Sequence, residues 1–152
     1  WLNWDKADTD LQDFVAALSK FRQDHINLRQ SWFLHGASRP QDGKPDVVWT
    51  DFEGEQLEWR DPGLANFCLT LRGNADTPNY EPDGAVIFIA FNRNAAEGKI
   101  ILPAAPAGQC WVRAIDTDQS KQGNYCELEA NNAIVSGQSV VVFVLKPREK
   151  SN

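Results

Sequence analysis

A chain of 152 residues, 42% hydrophobic and 24% charged, carries enough apolar side chain to bury one domain-sized core. Its formal charge of -6, with 15 basic residues scattered along it, excludes a surface built for the phosphate backbone of nucleic acid. No run approaches the roughly 18 apolar residues of a membrane-spanning helix, and the first residues lack the basic start and apolar stretch of a signal peptide.

The chain opens on Trp1-Leu2-Asn3-Trp4 and holds no methionine, which predicts an excerpt from a longer protein. From about Asp5 to Arg29, Leu11, Phe14, Val15, Leu18 and Phe21 recur at helical spacing, while Asp13, Lys20, Arg22 and Gln23 fall mainly on other faces. The spacing predicts one amphipathic helix with a single buried side. Asp5, Asp8 and Asp10 crowd its start, where carboxylates cap free amides, and Arg22, His25 and Arg29 collect near its end. A solitary apolar stripe of this kind needs a partner surface.

Beyond Gly36 the pattern becomes short β-branched and aromatic runs punctuated by Gly, Pro, Asn and Asp. Strands are predicted over 47–49, 55–59, 67–71, 85–91, 99–102, 110–115, 125–129, 133–135 and 139–145. Phe67, Leu69 and Leu71 share one face, with Thr70 and Arg72 on the other, so that strand is predicted half wet. Val86 to Phe91 and Val140 to Leu145 are apolar on both faces and are predicted to be central. Seven to nine such strands imply a mainly β fold, an antiparallel β-sandwich with Greek-key connections as one option, preceded by the helix. Pro147 to Asn152 reads as a loose tail.

Each residue group that could carry chemistry also has a plainer reading. Cys68, Cys110 and Cys126 form no C-x-x-C pair, and their odd number suits reduced thiols, with Cys68 and Cys110 as small core residues. Asp116-Thr117-Asp118 has alternating oxygen ligands but not the glycine turn and distant carboxylate of a calcium loop, so a solvated turn is expected. Glu127 and Glu129 share a strand face, as a glycosidase pair could, though exposed strand glutamates are far commoner. Ser139 lacks a nucleophile elbow, and His25 and His35 lie at or just past the helix end, which argues against a triad and a Cys/His metal site. The six tryptophans stand at 1, 4, 32, 49, 59 and 111. Indole faces stack on sugar rings, but Trp49, Trp59 and Trp111 are expected to fill the core.

Trp1 to Asp5, Phe21-Arg22-Gln23-Asp24-His25 with Leu28-Arg29, and Trp32-Phe33 with Gly36 resemble the end of the catalytic domain in isoamylase-type glycogen debranching enzymes. Val47-Val48-Trp49, Asp61-Pro62-Gly63, Leu69 to Gly73, Ile87 to Asn92, Leu102-Pro103, Trp111 with Ile115-Asp116-Thr117, and Ser139 to Leu145 are similar, in the same order, to that family's C-terminal domain. Asn3 stands where the family commonly has Asp, and Ile26 follows His25 where Pro is usual.

The resemblance implies a parent glycoside hydrolase of the α-amylase class that cleaves α-1,6 branch linkages in glycogen or a related α-glucan. Residues 1–36 would be the last helix segment of a truncated catalytic (β/α)8 barrel, 37–146 a C-terminal β-sandwich, and 147–152 the tail. The family's catalytic carboxylates would lie upstream, so no catalytic residue is assigned here and the chain alone is expected to be inactive. Trp1 and Trp4 are the candidate glucan contacts, in the part that resembles the loop after the last barrel strand. The implied partners are a branched α-glucan and the intramolecular barrel, with no metal or cofactor, in a bacterial cytoplasm or a plastid. Two other readings remain: an independent carbohydrate-binding module using exposed tryptophans, and an interaction domain whose helix stripe docks another chain.

Overall fold

The computed structural model describes residues 6–76, 84–119 and 126–148. Helix α1 spans Thr9–Asp24. Asp8 begins it as expected of a capping carboxylate: its backbone is extended, and its side chain accepts the Leu11 amide at 3.0 Å. The far end is closed by Arg29, whose Nε and Nη2 donate to the carbonyls of Arg22 and Gln23 at 3.2 and 2.9 Å. His25 adopts extended backbone, so the helix stops short of the predicted Arg29 and a single 3-10 turn, Ile26–Leu28, follows. Asp5 lies outside the described residues.

Among the described residues eight strands follow in chain order: β1 Val47–Thr50, β2 Asn66–Leu71, β3 Ile87–Asn92, β4 Gly98–Ile101, β5 Gln109–Asp116, β6 Cys126–Glu127, β7 Asn132–Val135 and β8 Ser139–Pro147. Six form one antiparallel sheet in the order β1-β2-β3-β8-β5-β6, and β4 pairs with β7 in a second sheet; neither closes into a barrel. The mainly β, helix-plus-sandwich architecture expected from the strand spacing is what the chain adopts. The two strands that are apolar on both faces, β3 and β8, lie side by side in the middle of the large sheet, in register from Ile87↔Val144 to Asn92↔Ser139.

One predicted strand does not form. Residues 55–59 make a single bridge, Thr50↔Gln56, and then turn, with Glu58 Oε1 accepting the Arg60 amide at 3.1 Å. Their acidic side chains favour this local bond over a ladder. The strand predicted over 125–129 is limited to Cys126–Glu127, which pairs with β5, while Tyr125 is outside the described residues. At the C-terminal end β8 runs to Pro147, and the Arg148 amide donates to the Gly108 carbonyl at 2.9 Å.

Because strand side chains alternate, each face of the large sheet holds its own core. One face packs on the small sheet, joining Cys68, Phe88, Trp111, Val141 and Phe143 to Ile100 and Val135. The other holds Leu69, Leu71, Ile87, Val142 and Val144, and receives Phe21 of α1. The half-wet reading of β2 fails here, since Thr70 and Arg72 are both buried. Arg72 Nη1 donates to the Pro45 carbonyl at 3.0 Å in the loop before β1, and Thr70 pairs with Phe88 on the face that packs on the small sheet.

Candidate functional site

The helix stripe meets the sandwich through Phe21 in its last turn and Phe14 further back. Phe21 is buried against the large sheet and Phe14 is half-buried, but Leu11, Val15 and Leu18 remain 58%, 51% and 38% exposed. The single buried side predicted for this helix is therefore mostly uncovered. Trp32 and Phe33, past the helix, are exposed as well. A helical run of branched aliphatic side chains facing water is the kind of patch that marks interaction surfaces.

The segment behind the helix is locked to the sandwich by buried polar groups that sequence spacing does not reveal. Asp46 is fully buried; its Oδ1 accepts the Gly36 amide at 2.8 Å and its Oδ2 the Ala75 amide at 3.2 Å. Gly36 sits at φ 78°, where a side chain would be strained, which suits glycine at this corner. Asn27 Nδ2 donates to the Ala85 carbonyl at 2.7 Å, and the buried Asn74 side chain donates to the Phe33 carbonyl. Arg39 forks onto Asp42 through Nε and Nη2 at 3.2 and 3.1 Å. Burial raises the Asp42 carboxyl, but the Lys44 amide and Arg39 outweigh it and hold the group below its usual value.

Of the tryptophans, Trp111 is core as expected, 2% exposed, with its Nε1 donating to the Pro103 carbonyl at 2.7 Å. Trp49 and Trp59 are not: they are 36% and 59% exposed. Their rings meet edge to face at 5.2 Å, and Trp49 leads on to Phe67 at 5.9 Å and Phe67 to Phe91 at 4.7 Å. Trp59 leaves the core because the 55–59 segment turns instead of joining a sheet. Trp1 and Trp4, the candidate glucan contacts, lie outside the described residues.

Several of the groups weighed for catalysis have structural roles. Asp116-Thr117-Asp118 forms a turn, but Asp116 itself is buried and not solvated, held by Arg113 Nη1 at 2.8 Å and by the Asp118 amide at 3.1 Å. Ser139 is buried and donates its hydroxyl to the Ser136 carbonyl at 2.7 Å. His25 donates Nδ1 to the Phe21 carbonyl at 2.8 Å, whereas His35 pairs with Asp76 at 3.0 Å, which raises its pKa chiefly through that hydrogen bond. Glu127 is paired to Val112 through the backbone, and Glu129 is exposed past the strand. Among the described residues no three His, Cys, Asp or Glu gather as a metal site would require.

Cys68 has no exposed surface, and burial, with Asp51 and Glu53 adding to it, pushes its thiol up to about 12. A thiol held so far from ionisation is a core residue and not a nucleophile. Folded protein at pH 8 is accordingly expected to leave Cys68 and the buried Cys110 unmodified by a disulfide reagent, with both reacting once urea unfolds the chain. Rapid labelling of Cys68 in the native state would contradict its placement.

No family profile matches the chain. Over 115 residues it is 27% identical to a chloroplastic isoamylase 2 of Arabidopsis thaliana, an alignment that takes in 68% of this chain and 13% of the relative. The chain thus spans about an eighth of the length of that curated protein. The order of segments that resembles the isoamylase type, the helix-and-sandwich fold and this alignment agree, and the chain is an isoamylase-related, β-rich domain.

Proposed function

We propose that this chain is the C-terminal accessory part of an α-glucan debranching hydrolase, and that α1 belongs to the wall of that enzyme's catalytic barrel. The supporting observation is the helix itself, pinned to the sandwich at Phe21 and Asn27 while Leu11, Val15 and Leu18 face outward. In this reading residues 1–36 complete the barrel, and the sandwich of residues 37–146 braces them through the Asp46 and Asn27 bonds. The parent's chemistry is double displacement at the anomeric carbon of an α-1,6 linkage, one barrel carboxylate attacking while another protonates the leaving oxygen. None of those carboxylates is assigned to this chain. The buried thiol of Cys68 supports a reducing compartment such as a bacterial cytoplasm or a plastid.

Val15→Asp tests the docking. Val15 is exposed here, so the substitution is expected to shift the unfolding midpoint of the 152-residue chain by less than about 0.5 kcal/mol equivalent. In the full-length enzyme the same carboxylate would be buried against the barrel and is expected to cost about 3 kcal/mol or more, with loss of soluble debranching activity. Equal tolerance of Val15→Asp in both would sink the barrel-wall assignment.

A further inference from the structure

Trp49 and Trp59 differ from the exposed stripe of the helix in three ways that point to one kind of ligand. Their faces are aromatic, whereas the helix stripe is aliphatic. Their indole N–H groups have no hydrogen-bond partner among the described residues and are not sealed from solvent, in contrast to the bonded Nε1 of Trp111. They also form the open end of a continuous row of rings, Trp59-Trp49-Phe67-Phe91, with centroids 5.2, 5.9 and 4.7 Å apart, so the two indoles rest on further aromatic side chains.

Strand register places this row. Phe67 pairs with Phe91 at one end of β2 and β3, while Leu71 pairs with Ile87 at the other, near the Ala85 and Arg72 carbonyls to which Asn27 and Gln30 donate. The rings therefore lie on the strand ends away from the anchor of the helix segment. Trp59 is carried by a turn whose backbone is fixed by the Glu58 to Arg60 bond, so the exposed indole is held and not trailing.

We propose that Trp59 and Trp49, backed by Phe67 and Phe91, are a stacking platform for an α-glucan chain. An aromatic face with free N–H donors matches a ligand that is apolar on its ring faces and rimmed by hydroxyl oxygens. A neutral ligand also suits a chain of net charge -6. The choice of α-glucan among polysaccharides rests on the debranching assignment above. The platform's role is to hold a branched polymer near the barrel while its branch points are cut.

The test is a titration of the 152-residue chain with maltoheptaose, and in parallel with cellohexaose, read by indole NH chemical shifts and tryptophan fluorescence. Maltoheptaose is expected to shift the Trp49 and Trp59 signals and leave Trp111 unmoved. Trp59→Ala is expected to weaken binding about tenfold and Trp59→Phe to keep most of it, since the ring face is retained. Trp59 is exposed, so both variants should fold, which the unchanged Trp111 signal would verify. Absence of indole shifts, or undiminished binding by Trp59→Ala, would overturn the platform and leave the barrel assignment to its own Val15 test. Preference for cellohexaose would overturn α-glucan as the ligand and count against the debranching reading too.

Discussion

Trp111→Ala is expected to cost this chain about 3–5 kcal/mol of folding stability, the range measured for emptying a large aromatic site in a packed core. Trp111 is the largest of the fully buried side chains, and it stands where the two sheets meet. Phe88 packs against it at 6.0 Å in an edge-to-face arrangement, and its neighbours include residues of both the large and the small sheet. Truncation leaves a cavity that two rigid sheets cannot collapse around, and it strips the Pro103 carbonyl of its indole donor. Trp111→Phe keeps most of the volume and loses the hydrogen bond, so it should cost about 1–2 kcal/mol. Urea unfolding with an unchanged slope measures both. A loss under about 1 kcal/mol for the alanine variant would mean that Trp111 does not bridge the sheets.

Asp46→Ala is the second large effect, expected at about 2–4 kcal/mol, because it leaves the buried Ala75 amide and the Gly36 amide at the surface corner without their acceptor. The Gly36 amide belongs to the segment descending from the helix and the Ala75 amide to the chain just past β2, so one carboxylate clips the helix-bearing arm to the sandwich. Asp46 also holds its place through backbone bonds, donating to the Ala37 carbonyl at 3.1 Å and accepting from the Arg72 amide at 2.8 Å. Those bonds survive the substitution, and so the damage should be local before it is global. Hydrogen exchange at Gly36 and Ala75 is expected to accelerate at concentrations of urea that leave β3 and β8 protected. Asp46→Asn retains one acceptor oxygen and should preserve protection at one of the two amides. Unchanged exchange at both sites in the alanine variant would refute the clip.

How far the sequence reached depended on whether the governing interaction was local. Asp8 could be read as a helix start because its partner, the Leu11 amide, is three residues away. β3 and β8 could be read as central because a strand that is apolar on both faces has only one kind of place to go. Even the Glu55 to Trp59 error is local in origin, since acidic side chains there bond their own backbone and close a turn. The burial of Arg72 was illegible, because its partner is the Pro45 carbonyl in the loop before β1, which lies far off in sequence and close in space.

Composition and periodicity determined that this chain is one mainly β unit behind an amphipathic helix, and which side of each element is apolar. Both follow from bonds and side-chain directions that repeat every two or 3.6 residues. Only the tertiary structure decided which apolar sides are covered. It buried Phe21 and Trp111, left Leu11, Val15, Trp49 and Trp59 open, and placed Asp46 between amides 10 and 29 residues away, because burial depends on neighbours that the backbone brings together from elsewhere in the chain.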